Sequence, residues 1–109
     1  MNVVVKHHDL VVPYMSSSDK SAGTLVFFGD LPAVTLEPVK ANVQCGVAVG
    51  AVIEGPRETG ASWGLGTVVY WDSASNRFTT TATGNKRVGV VVGGEFPASA
   101  TRALVLMDR

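Results

Sequence analysis

The most regular alternation in this chain runs over residues 43–54, where Val43, Cys45, Val47, Val49, Ala51 and Ile53 interleave with Gln44, Gly46, Ala48, Gly50, Val52 and Glu54. A period of two puts each set on its own face of a strand, and the first set reads as core. The opposite face carries Gly46, Ala48 and Gly50, small residues over which another backbone can approach closely, as in a bent barrel strand or a subunit contact. Residues 67–71 alternate as well, but Val69 and Trp71 on one face are matched by Val68 and Tyr70 on the other. A strand apolar on both faces is covered on both, inside a barrel and beneath a loop or at an oligomer contact. Gly46, Ala48, Gly50, Val68 and Tyr70 are therefore candidate interface residues.

Shorter apolar and β-branched runs predict further strands at residues 24–28, 31–36, 77–83, 86–92 and 102–107. Turn residues separate them: Gly29 and Asp30, Glu37 and Pro38, Gly55 and Pro56, residues 72–76, and Gly84 with Asn85. Residues 57–62 read as a loop or one helical turn before Trp63. At the start, residues 2–6 and 10–13 are apolar around His7, His8 and Asp9, which predicts an opening strand pair or one bent strand. The run Ser16, Ser17, Ser18, Asp19, Lys20, Ser21, Ala22, Gly23 buries little surface and reads as an exposed loop. Residues 1–23 thus form an arm and loop, with Ser17 and Asp19 as candidate contacts. About eight short strands at this spacing predict an all-β fold, a small antiparallel barrel or sandwich with little or no helix, in one domain spanning 1–109.

Composition sharpens this picture. The 109 residues suffice for one core that buries roughly 60–70% of the extended surface. Frequent Val, Thr and Gly, without runs of Glu, Lys, Gln and Leu, favour pleated strands and tight turns. Nine Lys and Arg balance nine Asp and Glu, so no summed positive field exists to hold a polyanion, and nucleic acid is not the expected partner. The single cysteine, Cys45, leaves no internal disulfide and too few thiols for a zinc cluster, and in phase with apolar neighbours it reads as a small buried hydrophobe. The first thirteen residues show no signal-peptide pattern, and no apolar run approaches the length of a membrane span. Synthesis in the cytoplasm and no membrane partner are the expectations.

Four constellations carry possible chemistry. Gly50-Ala51-Val52-Ile53-Glu54-Gly55 has the glycine spacing of a phosphate-binding loop, but Pro56 and Arg57 stand where Lys and Ser or Thr must follow. Gly60-Ala61-Ser62-Trp63-Gly64 satisfies the G-x-S-x-G string, with His7, His8, Asp30 and Asp72 as conceivable triad partners. The following Leu65 and Gly66 lead into a strand, whereas a nucleophile elbow requires a helix. His7 and His8 are adjacent and point to opposite faces of a strand, so they do not share one metal ion. Trp63, Tyr70, Trp71 and Phe78 would suit base stacking, but Arg57, Arg77, Lys86 and Arg87 are interspersed with Glu54, Glu58 and Asp72. The expectation is no catalytic residue, no cofactor and no metal, with Trp71 in the core and Tyr70 partly at a contact surface. A hydrolase or nucleotide enzyme would instead depend on Ser62 or Arg57.

The segment 63–89, WGLGTVVYWDSASNRFTTTATGNKRVG, resembles the DUF2190 family of small tailed-phage proteins. Trp63, Gly66, Tyr70, Trp71 and Asp72 match its V-Y-W-D strand and lead-in; Thr79, Thr81, Gly84, Asn85 and Gly89 match its T-x-T, G-N and G positions. The SSSDKSAG loop and the EFPASATR connection depart from the family's commoner short turns. Members are often labelled recombinases, whereas those tied to virions look like capsid decoration, or cement, proteins. The resemblance implies a non-catalytic protein on the outer surface of the phage head that stabilises the shell. Its implied partner is the major capsid protein, and its implied assembly a homo-oligomer, with a trimer favoured. The alternatives are another virion part such as a tail-completion β-module, or a nucleic-acid-binding phage protein as the recombinase label suggests.

Overall fold

Gly50 divides the most regular stretch of the chain between two sheets. In the computed structural model, which describes residues 3–8, 10–94 and 96–107, Gly50 takes a φ of 63°. It turns the backbone out of strand β5 (Cys45–Val49) and into β6 (Val52–Pro56). The single strand expected over residues 43–54 is thus two strands meeting at a corner. Local periodicity hides the break because the alternation resumes in phase beyond it. The left-handed backbone at Gly50 suits glycine, so Gly50→Ala is expected to lower the unfolding free energy by about 1 kcal/mol, measured by urea denaturation.

The remaining strands are β1 (Val4–His7), β2 (Leu10–Tyr14), β3 (Leu25–Phe28), β4 (Leu31–Thr35), β7 (Val68–Asp72), β8 (Arg77–Thr79), β9 (Lys86–Val91) and β10 (Arg102–Met107). The ten strands form a six-stranded sheet of order β1-β6-β10-β9-β7-β8 and a four-stranded sheet of order β2-β5-β4-β3. Every neighbouring pair is antiparallel. The expected all-β architecture holds, and of the two forms it is sandwich-like, since the sheets do not close into a barrel. The first two strands pair with β6 and β5, in different sheets, not with each other. The strand expected over residues 77–83 ends at Thr79, where the Thr79 hydroxyl accepts a hydrogen bond from the Thr81 backbone N–H at 3.2 Å and bends the chain away.

Two apolar clusters hold the sheets. The larger lies between them: Val34 and Ala48 of the small sheet meet Ile53, Val69, Trp71, Phe78, Val91, Ala103, Val105 and Met107 of the large one. Trp71 packs edge-on against fully buried Phe78, centroids 5.1 Å apart and planes at 74°, a favoured aromatic geometry. The second cluster, Val26, Ala33, Val47 and Val49 with Val12, Tyr14 and Leu31, occupies the other face of the small sheet. Four strands cover it because the sheet rolls on itself: Tyr14 and Phe28, on its two outer strands, come within 5.7 Å ring to ring. Val47 and Val49 therefore serve one cluster, while Ala51 and Ile53, next in the same alternation, serve the other.

Candidate interface surfaces

On the large sheet, the residues alternating with the core positions produce an apolar row on the outer face. Val52 pairs with Leu106, Leu106 with Val90, and Val90 with Val68, across four successive strands. Their neighbours Ile53, Val105, Val91 and Val69 are fully buried on the inner face, so alternation directs the row outward. Leu106 is 41% exposed, and Val52, Val90 and Val68 are half-buried. Tyr70, also half-buried, continues β7 beyond Val68 and stands opposite Arg87 and Thr79. Along one border, the Arg102 Nε donates to Glu54 Oε1 at 3.1 Å, giving the apolar row a paired, charge-neutral margin. Val68 and Tyr70 thus belong to a wider surface. Its other members carried a legible signal, the unbroken apolar runs at 90–92 and 103–107, where strand assignment alone does not separate inner from outer positions.

The small residues of the 43–54 stretch are occupied by the chain itself. Ala48 is fully buried between the sheets. Gly46 lies under Val11, whose Cγ1 would sit 2.6 Å from a Cβ added there, so the space over it is filled by a side chain of β2. Gly50 forms the corner. Ser17 is exposed, and Asp19 accepts the Ala41 N–H through Oδ1 at 2.8 Å. The loop around them is tied back by the Lys20–Val39 bridge and by the Asn42 N–H donating to Ser16 O at 2.7 Å. Cys45 is half-buried, and its Sγ donates to Tyr14 O at 3.4 Å.

A third region went unrecognised in the sequence. Residues 57–66 and 96–101 are stitched together beyond the ends of β6 and β10. Trp63 and Phe96 exchange two backbone hydrogen bonds of 2.8 Å, and Gly60 N–H donates to Ala98 O at 3.0 Å. Beneath them Arg57, only 3% exposed, stacks its guanidinium on Trp63 at 4.0 Å from the ring centroid. It donates to the carbonyls of Glu58 at 2.7 Å, Pro97 at 3.4 Å and Ala61. Burial lowers its pKa from the ordinary guanidinium value, partly countered by the Glu58 carboxylate. The fork of donors suits three divergent carbonyls, which a point-charge ammonium would not match. The one sequence cue was a Trp shortly after an Arg in a Gly-containing loop.

The chemical constellations resolve into structural roles. In the phosphate-loop-like string, Gly50 is the corner, and Gly55 lies under Val3 and Phe78, 2.7 and 2.9 Å from where a Cβ would stand. Exposed Ser62 lines a 500 Å³ cleft with Trp63, Gly64, Phe96 and Pro97, and the chain continues into β7. No base is among those lining residues. His7 and His8 are exposed, and among the described residues no three His, Cys, Asp or Glu side chains gather with metal-ligand geometry. Arg77, Lys86 and Arg102 each lie near a carboxylate, at 3.6 Å from Glu58, 3.4 Å from Asp30 and 3.1 Å from Glu54.

Against known proteins, a family model described as phage cement protein matches residues 5–107. No curated protein and no solved structure matches the chain.

Proposed function

Because the chain belongs to the phage cement protein family, whose members reinforce capsids as structural parts, we propose that it docks on the outer surface of the head through the outer face of its six-stranded sheet. The supporting observation is the in-register row Val52, Leu106, Val90 and Val68, an apolar surface built on rigid strands and continued by Tyr70. The partner is the major capsid protein. The protein bridges neighbouring shell subunits, so that many modest contacts together resist the pressure of packaged DNA. A homotrimer matches the three-fold positions of an icosahedral lattice, and synthesis in the host cytoplasm precedes docking. The role requires no catalysis, cofactor or metal.

Two measurements test this. Quantitative mass spectrometry of purified heads should find about one copy per capsid subunit or per local three-fold, hundreds per particle, as distributed shell binding implies. A dozen or fewer copies would assign the chain to a tail or connector ring. Val68→Glu and Tyr70→Glu should each reduce occupancy of stripped heads by about tenfold or more, because a docked carboxylate would be buried without a partner. Unfolding free energies should move by less than about 1 kcal/mol, as for other partly exposed sites. Full occupancy by both variants would remove this face from the interface.

A further inference from the structure

We propose that β2 is a self-pairing edge, through which a second copy of this chain extends the four-stranded sheet by an antiparallel β2–β2 contact centred on Val11. The proposal is independent of shell binding and concerns the free protein.

An open sheet edge invites further pairing, and natural proteins block it with charges, bulges or covering groups. Among the described residues the two sheets have four outer strands. β1 carries exposed Lys6 and His7 and is followed by exposed His8, with a register shift between Val5 and His7. β8 is met by the chain after β6, where Arg57 bridges Phe78 and Glu58 N–H donates to Phe78 O at 2.8 Å. At the end of β3, the Lys86 ammonium bonds Gly29 O at 2.9 Å and lies 6.0 Å from the Phe27 ring. β2 carries no charge, bulge or covering segment of this kind; its one blunting residue is Pro13, and Tyr14 near its end rests against Phe28. The run from Leu10 to Ser18 contains no Asp, Glu, Lys, Arg or His. Leu10 is 42% exposed, Val11 47%, Met15 58% and neighbouring Val43 56%.

Pro13 sets the polarity and register of this edge. Proline has no N–H to give a ladder partner, and on an outer strand its nitrogen faces away from the sheet. Alternation then points Leu10, Val12 and Tyr14 towards β5, and turns the Val11 N–H and C=O, with the Pro13 C=O, to the open side. Tyr14 O, accepting Cys45 Sγ, agrees with that phase. A two-fold pairing centred on Val11 satisfies both outward groups of Val11 with those of the second copy. It sets Leu10 opposite Val12 of the second copy and Val11 opposite its equivalent, apolar against apolar on both faces. Centring on Val12 would place Val11 against a proline without a donor and leave carbonyls unpaired. Over the three central pairs charge does not oppose this occupant, because Leu10, Val11 and Val12 carry none.

The test uses the full chain in solution. Sedimentation equilibrium from low to high micromolar concentration should show the mass doubling over that of its low-concentration state. Val11→Lys should weaken this step by more than about tenfold, since paired copies would face two ammonium groups, with circular dichroism unchanged. In a Cys45→Ala background, Val11→Cys should form a disulfide-linked dimer on mild oxidation, because paired Cα atoms at such a site lie about 5.5 Å apart. The more exposed Leu65→Cys should not do so under the same conditions. A constant mass with no Val11→Cys disulfide overturns the proposal, as does association that Val11→Lys leaves intact. If Val11→Lys spares the solution mass but abolishes head binding, the edge belongs to a shell strand and the self-pairing proposal is wrong.

Discussion

Gly89→Ala is expected to destabilise the fold by at least about 3 kcal/mol, the upper end for overpacking, and to leave little folded protein in expression at 37 °C. Gly89 pairs with Val69 on one side and Met107 on the other, at the point where β9 shifts register against β7. The shift leaves Val88 as an extra residue, and a bulge of this kind lets Val88 and Gly89 both lean towards the core. Val88 fills that space and is fully buried. A Cβ on Gly89 would overlap the Leu106 carbonyl oxygen, and would stand 2.9 Å from its carbon and 3.0 Å from the Met107 Cα. These are ladder atoms of β10, which cannot yield without parting the two central strands. Gly64→Ala, where an added Cβ meets nothing within 4 Å, should change stability by less than about 0.5 kcal/mol. Equal effects at the two sites in chemical denaturation would mean that the close β9–β10 approach is absent.

Arg57→Ala should cost about 3 kcal/mol, because it orphans carbonyls held by charge-assisted hydrogen bonds and opens a cavity under Trp63. Arg57→Lys should recover less than half of the loss, since one ammonium cannot reach the carbonyls of Glu58, Ala61 and Pro97 together. Trp63 fluorescence should shift to the red in both variants as the 57–66 loop loosens. The lowered pKa of Arg57 means that burial opposes its charged form. Protonation persists in folded and unfolded chains throughout the working pH range, so the penalty is constant and adds no slope of stability with pH. An Arg57→Lys protein as stable as the parent would show that charge, not the donor fork, holds the loops.

Strand positions were legible wherever side chains alternate between core and solvent. Residues 67–71 and 102–107 emerge as β7 and β10 to within a residue, and the prediction of Trp71 in the core holds. Sheet membership was not legible. On either side of Gly50 the alternation looks identical, yet Val49 and Ala51 belong to different clusters, because a corner changes direction without changing period. Tyr14 and Phe28 touch across a rolled sheet, and Arg57 reaches Pro97 from forty residues away. Such contacts follow from strand order, on which local propensity is silent. The two-sided apolar character of Val68 and Tyr70 was visible because it sits within one strand. The row that extends it through Val90, Leu106 and Val52 required the registers of four.

The place of β10 also bears on how the chain is made. It lies between β6 and β9, although it follows both of them along the chain. Until it arrives, β6 and β9 each present an unpaired apolar edge, and the central ladder of the larger sheet does not exist. Folding of this sheet therefore waits on the synthesis of β10, and the many distant pairings slow it towards the millisecond-to-second range typical of all-β domains. If the chain fills hundreds of sites per particle, as proposed above, each copy spends that interval exposed to its siblings, and translation rate and temperature then bear on how much folds intact.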